Sequence, residues 1–160
     1  MPTPDFTQPL VANFDVILNG SPMKATELAY VMHVTVDEDL GLPAMCVIEF
    51  GGADTLGKTL PWVDDPRFDI GQSVEIKLGY GNKMEKMFAG EITGLEPVFS
   101  RSRLPSLIVR AFNRLHRLTR GRKSRTFMKQ KDSEIASKIA QDAGLTADQV
   151  QGAESRGLSH

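Results

Sequence analysis

The sequence predicts a mainly β (α+β) protein: an antiparallel β domain, then a basic connector, then one amphipathic helix. Three observations lead there. About six short apolar runs, separated by turn signals every eight to twelve residues or so, fill the first hundred positions, as in a barrel or sandwich. A helical period emerges only after Phe112. Charge is segregated as well: residues 1–100 carry 6 basic against 15 acidic side chains, whereas residues 101–131 carry 11 basic and no acidic ones. The expected division is a flexible arm over 1–12, a β domain over 13–100, a strand with the basic connector over 101–131, and a helix with a polar tail over 132–160.

The elements follow in order. Phe14–Asn19 is a strand ending in Asn19-Gly20, a strong hairpin signal, with Met23–Thr26 expected on the return. Leu28–Val36 is rich in β formers, and strict alternation places Tyr30, Met32, Val34 and Val36 on one face. Gly41-Leu42-Pro43 breaks that run before the apolar strand Met45–Phe50. A polar loop over 51–69 carries the only tryptophan, Trp62. Val74–Tyr80 alternates, with Val74, Ile76, Leu78 and Tyr80 on one face. Strands over Met87–Leu95 and Leu104–Phe112 complete the set. Asn113–Thr119 has helical spacing. Asp132-Ser133 opens a helix whose apolar face is Ile135, Ala136, Ile139, Ala140 and Ala143, with Gly144 as terminator. A lone helix with such a face needs a partner, so the second module reads as incomplete.

Composition narrows the function. No apolar run approaches the ~18–20 residues of a membrane span, the N-terminus is unlike a signal peptide, and one cysteine, Cys46, allows neither an internal disulfide nor a cysteine-rich zinc site. Segment Gly52–Thr59 matches G-x-x-x-x-G-K-[ST], a phosphate-binding loop, after an apolar strand. That chemistry needs a helix starting at Lys58-Thr59, and Pro61 and Pro66 cut any such helix short. The surrounding β pattern also lacks βαβ units. Asp37-Glu38-Asp39 suggests a calcium loop, but its twelfth position is Ile48 instead of glutamate. Asp64, Asp65 and Asp69 read as a solvated loop, His33, His116 and His160 are scattered, and Cys46 sits in an apolar run. No catalytic constellation emerges, and neither an enzyme nor a cofactor or metal site is expected.

The basic stretch carries the candidate site: Arg110, Arg114, Arg117, Arg120, Arg122, Lys123 and Arg125. Arginine at this density suits either phosphate or acidic protein surface. Only Phe112 and Phe127 flank the cluster, so the stacking platform of single-strand binders is missing. A protein interface is the expectation, with a nucleic-acid-binding module using the 101–131 segment as the alternative.

The chain also resembles the phage late-control protein D and VgrG-type baseplate hubs of contractile tails and injection systems. The resemblance runs through Phe14-Asp-Val-Ile-Leu-Asn-Gly20, Phe68-Asp-Ile-Gly71 on to Tyr80, and Phe88-Ala-Gly-Glu-Ile-Thr-Gly-Leu-Glu-Pro97. Its most specific part joins Leu115-His-Arg-Leu118, Arg120-Gly-Arg-Lys123, Arg125-Thr-Phe127, Lys131-Asp-Ser-Glu-Ile-Ala136 and Ala143-Gly-Leu145. The resemblance implies a β-barrel tube domain and a loop over 51–66, and alternation places Val74, Ile76, Leu78, Phe88, Ile92, Leu107 and Val109 inside such a barrel. It also implies a homotrimeric hub between the tail tube protein and the spike or other baseplate proteins, assembled in the bacterial cytoplasm without membrane insertion by this chain. Such hubs usually run on for hundreds of residues, so this chain is expected to be a truncated or reduced version.

Overall fold

A computed structural model describes residues 12–52, 62, 64–80, 83–101 and 104–146. The expected arm (Ala12 apart), residues 53–59 of the phosphate-loop look-alike and the tail beyond 150 lie outside these residues. The chain divides into two units, Met1–Asn113 and Arg114–His160.

The first unit is one seven-stranded antiparallel sheet. In chain order its strands are β1 (Ala12–Leu18), β2 (Ser21–Pro22), β3 (Val31–Asp37), β4 (Met45–Gly51), β5 (Ser73–Tyr80), β6 (Lys83–Val98) and β7 (Ser106–Phe112). Their order across the sheet is β2-β1-β5-β6-β7-β4-β3. The long β6 pairs with β5 from Lys83 to Glu91 and with β7 from Glu91 to Val98, so β7 ends level with the end of β1. β7, grouped with the basic connector by sequence, sits inside the sheet between β6 and β4.

The pairing registers line apolar side chains into rows. Leu18, Val74 and Gly90 lie side by side, as do Val16, Ile76 and Phe88; Ile92, Ala111, Cys46 and Val36 form another row, and Leu95, Val109, Ile48 and Val34 the next. One face of the sheet is therefore apolar from β1 to β3. Yet among its described residues the unit has only a four-residue helix, α1 (Ala25–Leu28), and a 3-10 turn at Pro66–Phe68. Neither can cover seven strands. Val16, Cys46, Ile48, Phe50, Ile76, Ile92 and Val109 are nonetheless fully buried in one cluster. The sheet meets this demand by curling over its own face in barrel fashion. Its outermost strands, β2 and β3, have no ladder joining them among the described residues.

Bulges supply the bends. Registers shift between Val31 and His33, between Ile76 and Lys77, and between Ile92 and Gly94. An extra residue bends its strand and raises local twist. The first bulge corrects the face expected for β3: the extra residue is Met32, so Val31, Val34 and Val36 pack on the core while Tyr30 and Met32 are exposed. Leu78 is also corrected. Beyond the β5–β6 bulge it pairs with Glu85 and is 40% exposed, outside the core to which alternation assigned it. The other six expected core residues are buried.

Asn19 and Gly20 both adopt positive φ, 52° and 77°, as a two-residue hairpin turn of the mirror-image type requires. The return strand is short: beyond Pro22 the Met23 N–H still donates to the Val16 carbonyl at 2.9 Å, and the chain then leaves the sheet. The expected run Met23–Thr26 instead enters α1, where the Lys24 N–H donates to Glu27 Oε2 at 2.8 Å.

In the second unit, α2 (His116–Thr119) is a single turn and α3 (Asp132–Asp142) is the expected helix. The Lys131 N–H donates to Glu134 Oε2 at 3.1 Å at its start, and Gly144, at φ 69°, ends it. No α3 residue is fully buried, and Ile139 remains 40% exposed.

Candidate partner interface

The seven predicted cations fall into both units. Arg110 projects from β7, exposed, and its guanidinium meets Glu96 on the neighbouring β6 at 3.0 Å. The other six belong to the second unit. Arg114 is exposed ahead of α2, and Arg122 and Lys123 are exposed in the extended stretch after it.

Arg117, Arg120 and Arg125 are tied down locally. Arg117 reaches the end of α3, where its Nη1 donates to the carbonyls of Ala143 and Gly144 at 3.3 and 3.4 Å. A helix C-terminus offers unpaired carbonyls and partial negative charge, so a guanidinium is favoured there. Arg120 donates to Nε2 of the buried His116 at 2.8 Å, which makes that nitrogen the acceptor. Arg125 pairs with Asp142 in the last turn of α3. An acid in that position opposes the helix dipole, and the guanidinium compensates it. Sequence reasoning missed Asp142, although an acid closing a helix is a signal that a cation must be near.

These contacts shape a pocket of about 600 Å³ inside the second unit. Arg117, Arg120, Lys123 and Arg125 supply positive charge, and Phe127 and Ile139 give it an apolar wall. Lys138 stands 6.0 Å from the centre of the Phe127 ring. The arrangement can hold an acidic group that carries an apolar neighbour.

The other candidates gain nothing from the fold. Asp65 is committed to Arg67 at 2.6 Å, and no group of three or more potential metal ligands occurs among the described residues. Ile48, at the calcium-loop position needing glutamate, is buried in the core. β4, which leads to Gly52, pairs antiparallel on both sides, unlike the parallel strand before a phosphate loop. His33 is exposed on β3. Among the described residues, no helix is long and apolar enough to cross a membrane.

The family model for the Alg8 N-terminal domain matches residues 8–156, almost the whole sequence. The chain belongs to the Alg8 N-terminal domain family. The match takes in both units, so the sheet and the Arg-rich helical part form one family module. Among solved structures, the chain is similar to the 43 kDa tail protein of prophage MuSo2 from Shewanella oneidensis, with a TM-score of 0.63 at 12% identity. The likeness covers 84% of this chain and 38% of that protein, so the module spans well under half of that protein's length. At that identity the two share a fold. No curated protein sequence matches.

Proposed function

We propose that this chain is a structural part of a contractile phage tail or contractile injection system, contributing to the baseplate hub that joins the inner tube to the spike. The observation that carries the reading is the fold shared with a prophage tail protein over 84% of this chain. The hub assignment within that class rests on the resemblance to late-control protein D and VgrG-type hubs. On this reading the curled sheet stacks on the tube, and the cations after Phe112 meet neighbouring chains. The role is mechanical, needs no cofactor, and uses three copies of the chain with the tail tube protein and spike as partners. Assembly takes place in the bacterial cytoplasm.

Light scattering on a sizing column, with absorbance at 260 and 280 nm and at low and moderate salt, tests this. A nucleic-acid-free trimer, or a multiple of one, is expected, and Arg120→Glu or Arg122→Glu should shift it toward monomer. Co-purifying nucleic acid that salt strips away would favour a nucleic-acid-binding role for the 101–131 segment. A monomer that also ignores rings of the tube protein would sink the hub reading.

A further inference from the structure

The pocket of the second unit and one loop of the first are matched in charge and in apolar content. The pocket sets four cations against one carboxylate, Asp142, beside the wall of Phe127 and Ile139. Asp37, the last residue of β3, and the loop that follows it read Asp37-Glu38-Asp39-Leu40-Gly41-Leu42, three carboxylates followed by two leucines. Its side chains are all exposed, Leu40 completely and Leu42 at 66%. Asp39 Oδ1 accepts the Gly41 N–H at 2.8 Å, folding the loop back at Leu40. Two leucines held in water beside a triple acid are costly unless a partner covers them.

We infer that the Asp37–Leu42 loop of a second copy of this chain docks in the pocket, Leu40 against Phe127 and Ile139 and the carboxylates against Arg120 and Lys123. A net +3 pocket meets a net −3 loop. Its volume of about 600 Å³ suits a few side chains. A nucleic-acid strand would satisfy the cations but leave the apolar wall against sugar and phosphate. Because loop and pocket are different patches, the contact is head-to-tail and repeats until a ring closes. The inference rests on the hub reading for its assembly and names the contact that would hold the copies together.

Photo-crosslinking in the full chain tests it. Leu40 is replaced by benzoyl-phenylalanine, copies of normal and heavy isotope content are mixed, and linked peptides are mapped by mass. Links from Leu40 to residues 117–127 or to Ile139 of a differently labelled copy are expected. Asp37→Lys with Asp39→Lys should cut their yield roughly tenfold, and adding Arg120→Glu with Lys123→Glu should restore it to within about threefold. Trp62 fluorescence verifies that each variant is folded. Links confined to one copy, links to nucleic acid, or insensitivity to both charge reversals would overturn the docking. If light scattering still shows a trimer while the links fall elsewhere, the docking fails and the hub reading stands. A monomer without links between copies removes the docking, and tube-ring binding then decides the hub reading separately.

Discussion

Arg67 joins two local structures through two carboxylates. Its Nη2 lies 2.9 Å from Glu27 Oε1 on α1 and 2.6 Å from Asp65 Oδ2, and Asp65 also caps the 3-10 turn through Oδ1, which accepts the Arg67 N–H at 2.9 Å. Hydrogen bonds from this guanidinium hold both carboxyls below their ordinary values, and the two anions raise the arginine in turn. A carboxylate depressed in the folded state adds stability above its unfolded value, and that stability is lost as pH falls through the folded one. Arg67→Met should therefore cost about 1–2 kcal/mol at pH 7, since the network is partly exposed. The deficit should shrink below about pH 4, as urea titrations of both proteins at several pH values would show. Cys46 poses the opposite case. Burial alone pushes its thiol up to about 12, and no part of it is exposed. It should resist a disulfide reagent in the native protein and react at once in denaturant. Native reaction on the time scale of an exposed thiol would contradict the buried placement.

The elements show where period and turn chemistry decide and where they do not. The Asn19-Gly20 turn, β4, β5, β7 and α3 follow from alternation, helical spacing and caps, all local to the chain. The phase of β3 does not, because the bulge at Met32 exists only against the register of β4. Loop composition likewise hides the role of Trp62. The loop that holds it is rich in glycine, proline and aspartate, yet Trp62 is 5% exposed and its ring lies 5.4–6.1 Å from Tyr30, Phe50 and Phe68, completing the core at one end. The cations of the candidate interface were legible as a cluster. Their division between Glu96, Asp142 and the end of α3 was not, because partners 14 to 27 residues distant meet only after folding. Gly90 on β6 tests the packing at this scale. A Cβ there would run into the Phe112 carbonyl and the Phe88 ring. Gly90→Ala should destabilise the sheet by about 1–3 kcal/mol, read as a lower thermal midpoint. An unchanged midpoint would show that β6 and β7 can part without cost.

At the scale of the molecule, the two units bury their apolar surface unequally. Among the described residues, the first unit has sixteen buried hydrophobic residues, while α3 has none that is fully buried. An eleven-residue helix alone is marginal in water. Amides of α3 should accordingly exchange with solvent at least tenfold faster than those of β4 and β7 in hydrogen-exchange mass spectrometry. Equal protection would mean that the helix is held as firmly as the sheet. Assembly that covers Ile139 and Phe127 should slow exchange in α3 and leave the sheet unchanged, which separates docking from folding.

Because β7 ends level with the end of β1, while β1 begins level with the start of β6, tension applied between residues 12 and 113 would act along the strands as well as across them. The component along the strands is perpendicular to the ladder hydrogen bonds, which would share it in shear instead of opening a pair at a time, as a zipper does.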